Sequence, residues 1–121
     1  MNLNQKGVGS ATLATAAGRI DLSNADDFTT ALSAALTESK AALILDLSKV
    51  DYISSAGLRS LMITLKASKT DNKGFGVTAL QPMLAEIFTI ARLNQVIPIF
   101  QTTREAVAKL APDALAQFDA G

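Results

Sequence analysis

The groups best placed to take part in chemistry are two adjacent hydroxyls, Ser54 and Ser55, followed by the small residues Ala56 and Gly57. The chain contains no histidine and no cysteine, which removes the usual general base and the thiolate nucleophile. A Ser-Lys pair is also excluded, because Lys66 lies about three helical turns from Ser55 along the same predicted helix. Since no Gly-rich phosphate loop ending in Lys-Ser or Lys-Thr is present, the sequence predicts no enzyme activity, no cofactor and no metal site. The serines are better candidates for recognition by a second molecule.

An apolar strand followed by an amphipathic helix must position these serines. The run Ala42–Leu45 lacks polar alternation, which is typical of a strand covered on both faces, and Asp46 is predicted to end it. After a short loop the period changes to that of a helix. Its apolar side is predicted to carry Leu58, Leu61, Met62 and Leu65, and its polar side Arg59, Ser60, Thr64 and Lys66. This spacing predicts that Ser55 is the N-cap and that Ser54 is a loop residue hydrogen-bonded to its own backbone.

Several residues near the serines have both a structural and a functional interpretation. Gly57 lies in the first predicted turn, where Ala would be the better helix former by up to ~1 kcal/mol. Either a partner approaches closely there, or the turn packs tightly against a neighbouring loop. Arg59 is predicted to be exposed; it could pair with a partner's carboxylate, although a solvated charge is the more frequent outcome. For Asp46 and Asp51 the structural interpretation is favoured, in which the first ends a strand and the second supports a turn.

The remaining pattern predicts an α/β fold with the element order β-β-α-β-α-β-α-β-α. A hairpin should form around Gly7-Val8-Gly9, Gly18 should end its second strand, and a capping box at Ser23–Asp26 should begin the first helix. The later elements are a strand at Phe75–Leu80, a helix from Pro82, a strand at Ile97–Gln101 and a helix after a second capping box at Thr102–Glu105. Pro98 places the last strand at a sheet edge. The sheet should be mixed, and parallel after the hairpin, with right-handed crossovers.

Composition narrows the class of protein further. Nearly half of the residues are apolar but only 5% are aromatic, so the core should be aliphatic. Eleven acidic and eleven basic residues cancel, and no basic cluster or aromatic platform suggests binding to nucleic acid. No apolar stretch approaches the length that spans a membrane, and glycines and hydroxyl residues interrupt the N-terminal segment where a signal peptide would be apolar. We expect a cytoplasmic protein that forms one domain over residues 1–121, without membrane insertion.

Three segments follow one another in order along the chain: Gly18-Arg19-Ile20-Asp21 after the hairpin, Leu45-Asp46-Leu47-Ser48 at the end of the central strand, and Val50-Asp51-Tyr52-Ile53-Ser54-Ser55-Ala56-Gly57-Leu58. Taken together, these segments resemble the STAS domain of bacterial anti-sigma factor antagonists. The resemblance covers about residues 2–110, and residues 111–121 are a C-terminal extension or tail that either lengthens the last helix or frays. When the segments are matched on Gly57-Leu58, the family's phosphoacceptor serine falls on Ser55. Ser54 then stands where the family often has Asp, and Ala56 where it often has Ser or Thr.

The resemblance implies a protein-binding switch without enzyme activity of its own. When unphosphorylated, such a protein binds an anti-sigma factor that has serine-kinase activity, and a sigma factor is released. Phosphorylation of Ser55 by that kinase would end the interaction, and a PP2C-like phosphatase would restore it. The expected partner-binding residues around Ser55 are Asp21, Ser54, Ala56, Gly57, Leu58 and Arg59.

Two other functions stay open at this point. The chain could be a STAS subunit of a larger assembly without a phosphoswitch, such as a stressosome-like scaffold or a lipid-transport complex. It could also be a sensor of a nucleotide or another small ligand.

Overall fold

The computed structural model describes residues 3–121 and contains one five-stranded sheet, in which every strand lies next to its neighbours in sequence. The strands are β1 (Asn4–Val8), β2 (Ala11–Ile20), β3 (Ala42–Ile53), β4 (Gly74–Thr78) and β5 (Ile99–Phe100). β1 and β2 are antiparallel, and all later pairs are parallel. The predicted mixed sheet is confirmed, and β5 lies at its edge as predicted. β5 is shorter than the predicted Ile97–Gln101 and begins only after Pro98.

The helices follow the predicted order, and a further short helix is added at the C-terminus. They are α1 (Ala25–Glu38), α2 (Ser55–Thr70), α3 (Pro82–Ile90), α4 (Thr103–Leu110) and α5 (Leu115–Ala120). A 3₁₀ turn at Pro112–Ala114 separates α4 from α5, so the last residues form a separate short helix instead of lengthening α4. Arg104 on α4 donates two hydrogen bonds to the carboxylate of Asp119 on α5, at 3.0 and 3.1 Å.

Two apolar clusters hold the helices to the sheet. The larger cluster joins α1, α2 and α3 to the strands and is built from aliphatic and phenylalanine side chains. The smaller one joins α4 and the C-terminal segment to the sheet and is rich in alanine; its buried members are Ala11, Ala42, Ile44, Ala106, Val107, Ala111 and Ala114. Leu43 and Leu45 belong to the larger cluster and Ile44 to the smaller, so both faces of β3 are covered, as its apolar run predicts.

β3 is longer than the sequence pattern indicates. It continues through Asp46 to Ile53, although β4 pairs only with residues 42–46 and the rest of β3 pairs with β2 alone. The interpretation of Asp46 as a strand end is therefore wrong; its Oδ1 accepts from the N–H of Ser48 at 2.8 Å within the strand. The interpretation of Asp51 as a turn residue is also wrong, because it is exposed on the same strand.

The hairpin forms, but the predicted loop Gly7-Val8-Gly9 is wrong in part, because Gly7 and Val8 pair within β1. The second strand also extends further than predicted. The connection is the two-residue turn Gly9-Ser10, with Gly9 at φ +57°. β2 does not end at Gly18, which has φ +86° and lies where the pairing of β2 with β3 shifts register. A glycine with positive φ can therefore mark an irregularity inside a strand as well as the end of a strand.

Candidate functional site

The start of α2 is set by the end of β3. Ile53 is buried, and the N–H of Ser54 donates to the carbonyl of Ile20 on β2 at 2.8 Å. Ser54 has extended backbone angles and is the N-cap: its Oγ accepts from the N–H of Gly57 at 3.3 Å, and its carbonyl accepts from the N–H of Leu58 at 2.9 Å. The prediction of Ser55 as N-cap is wrong by one residue. The strand reaches Ile53, so only Ser54 remains between strand and helix, and periodicity alone could not choose between two adjacent serines.

Ser55 is the first helical residue of α2, and its side chain is exposed. Its hydroxyl makes no hydrogen bond within residues 3–121, because Ser54 provides the cap. The hydroxyl that family resemblance marks as the phosphoacceptor is therefore separate from the hydroxyl that stabilises the helix. Modification of Ser55 would leave the cap intact.

Gly57 lies in the first turn of α2 and is buried. A Cβ at this position would lie 2.6 Å from Ile53 Cγ1 and 2.7 Å from Ile20 Cγ2. These distances are too short for carbon atoms, so the structure supports the packing interpretation of Gly57. The neighbours are side chains of β2 and β3, whereas the sequence had suggested a loop. The expectation that a partner packs directly against Gly57 does not agree with this placement.

A groove of about 640 Å³ opens between α1 and α2, beside Ser55. The α2 side contributes Ser55, Ala56, Arg59, Ser60 and Ile63, and the α1 side contributes Leu22, Ala25, Asp26, Thr29 and Thr30. Two of these side chains are large, apolar and exposed: Leu22 is 85% exposed and Ile63 is 44% exposed. The groove therefore combines a free hydroxyl with an apolar rim, which is a composition suited to protein recognition.

The half-buried Thr29 and the buried Ser60 place hydroxyl groups at the floor of this groove. The Oγ1 of Thr29 on α1 lies 2.6 Å from the Oγ of Ser60 on α2, and Ser60 Oγ also lies 3.2 Å from the carbonyl oxygens of Ala25 and Ala56. Ser60 and Thr64 are each only 2% exposed, so their predicted placement on the solvent side of α2 is wrong. Short hydroxyl side chains allow α1 and α2 to pack closely and hydrogen-bond across the contact, which makes the floor rigid.

The loop before α1 is held by its own side chains. The carboxylate of Asp21 accepts from the N–H of Ser23 at 3.0 Å and from the Ser23 hydroxyl, and these bonds lower the pKa of Asp21. Asn24 accepts from the N–H of Asp21 at 2.9 Å and donates to the carbonyl of Arg19 at 2.8 Å. The predicted capping box at Ser23–Asp26 is wrong, because Asn24 is the N-cap and makes no side-chain bond to the first turn. Instead, these contacts fix the loop that exposes Leu22.

The structure separates the residues predicted around Ser55 into three roles. Ala56 and Arg59 line the groove with Ser55. Ser54 and Asp21 hold local backbone, at the start of α2 and in the loop before α1. Gly57 is buried, and Leu58 is half-buried against the larger apolar cluster.

Sequence reasoning missed Leu22, Asp26 and Ile63 as groove residues. Ile63 had a detectable signal, since it is an apolar residue outside the predicted apolar side of α2. Leu22 directly follows the Gly-Arg-x-Asp segment, but its exposure depends on the loop contacts, which the sequence pattern does not show.

Charge in the groove is limited to Asp26 on α1 and Arg59 on α2, among the residues that line it. Within residues 3–121, no cluster of three or more possible metal ligands is found. In the same part of the chain, no helix has both the length and the apolar character needed to cross a bilayer.

Comparison with known proteins agrees with the fold described above. The STAS domain family matches residues 2–106. A candidate anti-sigma factor antagonist of Bordetella bronchiseptica, BtrV, is 29% identical over 115 residues, which cover 95% of this chain and 98% of that protein.

Two solved structures of similar proteins have the same fold. A candidate anti-sigma factor antagonist of Thermotoga maritima has a TM-score of 0.82 and 19% identity, with 89% of this chain and 93% of that chain covered. An anti-sigma factor antagonist of Mycobacterium paratuberculosis has a TM-score of 0.81 and 25% identity, with 90% and 92% covered.

This chain belongs to the STAS domain family, and the similar proteins named above are anti-sigma factor antagonists or candidates for that role.

Proposed function

We propose that this protein is an anti-sigma factor antagonist that binds an anti-sigma factor with serine-kinase activity through the groove between α1 and α2. The observation that carries the proposal is the free, exposed hydroxyl of Ser55 on the first turn of α2, at the wall of an apolar-rimmed groove. Family membership supports the role of a protein-binding module. In this role the unphosphorylated protein holds the anti-sigma factor, and a sigma factor is released.

Phosphorylation of Ser55 would end the interaction while the fold survives. A phosphate adds about −1.5 to −2 charges at neutral pH. The helix dipole and the N–H groups of the first turn favour a negative charge at this position, so α2 should remain folded. A partner seated in the groove would have to desolvate or face the same charge. A penalty of about 3–4 kcal/mol would weaken binding by a hundredfold or more. A PP2C-like phosphatase would reverse the change.

Phosphate mapping tests the proposal directly. The purified protein is incubated with ATP and a serine-kinase anti-sigma factor from the same organism, and the phosphate is located by peptide mass spectrometry. We expect one phosphate on the parent chain and on Ser54→Ala, and none on Ser55→Ala. Thr103→Ala is a control, because Thr103 is also a hydroxyl residue at the first position of a helix, but it is half-buried.

Two results would contradict this proposal. One is a phosphate that persists on Ser55→Ala and is lost from Ser54→Ala. The other is a complete absence of labelling and of binding to the kinase, which would favour a STAS subunit without a phosphoswitch. Stabilisation of the chain by a nucleotide, in the absence of any protein partner, would favour the sensor function.

A further inference from the structure

We propose that Arg59 forms an ion pair with a phosphate on Ser55. Phosphorylation then neutralises the positive charge of Arg59 in the groove, in addition to introducing negative charge. The proposal rests on Ser55 being the modified residue. It identifies Arg59 as a residue that takes part in the switch, and it gives a physical reason why the partner is released.

The positions of the two residues on α2 are favourable for an ion pair. Ser55 and Arg59 are four residues apart on the same helix, and both line the same groove. Side chains at this spacing are neighbours on a helix surface, and the pair is stronger when the acidic member is N-terminal, as a phosphate on Ser55 would be. A guanidinium can also bind two phosphate oxygens at once.

Arg59 is available for this role in the unmodified protein. Its side chain is exposed, and it forms no ion pair or hydrogen bond within residues 3–121. Arg104, in contrast, is already paired with Asp119. Arg19 lies over the ring of Tyr52, with 4.2 Å between the guanidinium carbon and the ring centroid. Arg59 can therefore pair with a new anion without breaking an ion pair or a hydrogen bond within the described residues.

The other charged group facing the site opposes the phosphate. Asp26 lies on the α1 side of the groove, and no further ionisable side chain is among the lining residues. Before modification the groove carries one positive and one negative charge. After modification Arg59 is occupied by the phosphate, and Asp26 and the remaining phosphate charge make the groove negative. A partner carboxylate that had paired with Arg59 would lose its cation and meet repulsion.

The experiment measures the phosphate itself and needs no kinase. Phosphoserine is incorporated at position 55 during translation, and the second ionisation of the phosphate is followed by ³¹P NMR over a pH titration. An adjacent cation favours the dianion, so Arg59→Gln should raise this pKa by about half a pH unit. Arg59→Lys should keep most of the effect, because the charge remains. Asp26→Asn should lower the same pKa, because a repelling carboxylate is removed.

Lys66→Gln is the matched control, since it removes an equal charge from an exposed position on α2 that is about three turns away from Ser55. Equal responses to Arg59→Gln and Lys66→Gln, or no response to either, would overturn the proposal. The proposal would also be overturned if circular dichroism showed that the phosphoserine protein is unfolded, because the phosphate must be tolerated at the start of α2. Failure of a kinase to label Ser55 would count against the proposed function but would leave this measurement unaffected.

Discussion

The starts of α2 and α4 use the same local sequence device and reach different outcomes. Each helix has a hydroxyl N-cap followed by a hydroxyl residue at the first helical position, Ser54-Ser55 in α2 and Thr102-Thr103 in α4. The caps are nearly alike: Ser54 Oγ accepts from Gly57 N–H at 3.3 Å, and Thr102 Oγ1 accepts from Glu105 N–H at 3.2 Å. In their cap hydrogen bonds, the two helix starts are equivalent.

Their surroundings differ at the second hydroxyl. Thr103 is half-buried, and its Oγ1 lies 3.4 Å from that of Thr78, which is fully buried on β4. Ser55 is exposed beside a groove and makes no hydrogen bond within the described residues. The third helical position differs as well, since Gly57 is buried and Glu105 is exposed. A hydroxyl pair therefore specifies a capped helix, and packing against the rest of the fold decides whether the second hydroxyl is free.

The largest expected effect is on stability at the third helical position. Gly57→Ala should lower the free energy of unfolding by about 1–3 kcal/mol, because the new methyl would overlap Ile53 and Ile20 by more than helix propensity can offset. Glu105→Ala, at the equivalent exposed position of α4, should change it by about 0.5 kcal/mol or less. Urea denaturation measures both.

Gly7→Ala is a second control, because a Cβ at Gly7 meets no atom within 4 Å. If Gly57→Ala is as stable as the parent, the two isoleucines can move aside and Gly57 is not a required packing residue.

A second prediction concerns the groove, which is present beside the start of α2 and distinguishes it from the start of α4. Leu22→Ser should weaken binding to the anti-sigma factor about tenfold or more, because an anchor of this size contributes roughly 1.5–3 kcal/mol when it is buried. The melting temperature should stay nearly constant, since Leu22 is 85% exposed in the free protein. Calorimetry of the complex gives the dissociation constant.

Ile90→Ser on α3 is the matched control for Leu22→Ser, because Ile90 is 75% exposed and does not line the groove. Equal losses of affinity for the two variants would show that the partner does not recognise the groove specifically.

The smallest effects should separate the cap from the acceptor. Ser54→Ala and Thr102→Ala should each cost about 1 kcal/mol of stability, because each removes an N-cap hydrogen bond. Ser55→Ala should change stability by less than about 0.5 kcal/mol, since its hydroxyl has no structural partner in the described residues. Thermal unfolding compares the three variants. A larger loss for Ser55→Ala than for Ser54→Ala would reverse the assignment of the N-cap.

The wrong predictions concern boundaries and packing partners more than the elements themselves. A strand that changes from fully buried to half-exposed along its length has no single hydrophobic period, so β3 seemed to end at Asp46 although it reaches Ile53. Ser60 and Thr64 looked exposed because they are polar, but each hydroxyl donates to the backbone carbonyl four residues earlier in α2, of Ala56 and Ser60 respectively. Polarity alone does not report burial when such local bonds are available.

The sequence by itself determined the element types, their order and the mixed sheet, because apolar periodicity and turn residues act over a few neighbouring positions. It also placed two hydroxyls at the start of α2 and excluded histidine and cysteine chemistry. Only the tertiary structure decided which serine caps the helix, that Gly57 is buried, and that Leu22 and Ile63 frame a groove with Arg59. The cap depends on how far β3 extends before α2 begins, and the other two features depend on contacts with β2 or α1, which are distant in sequence and meet α2 only when the chain folds.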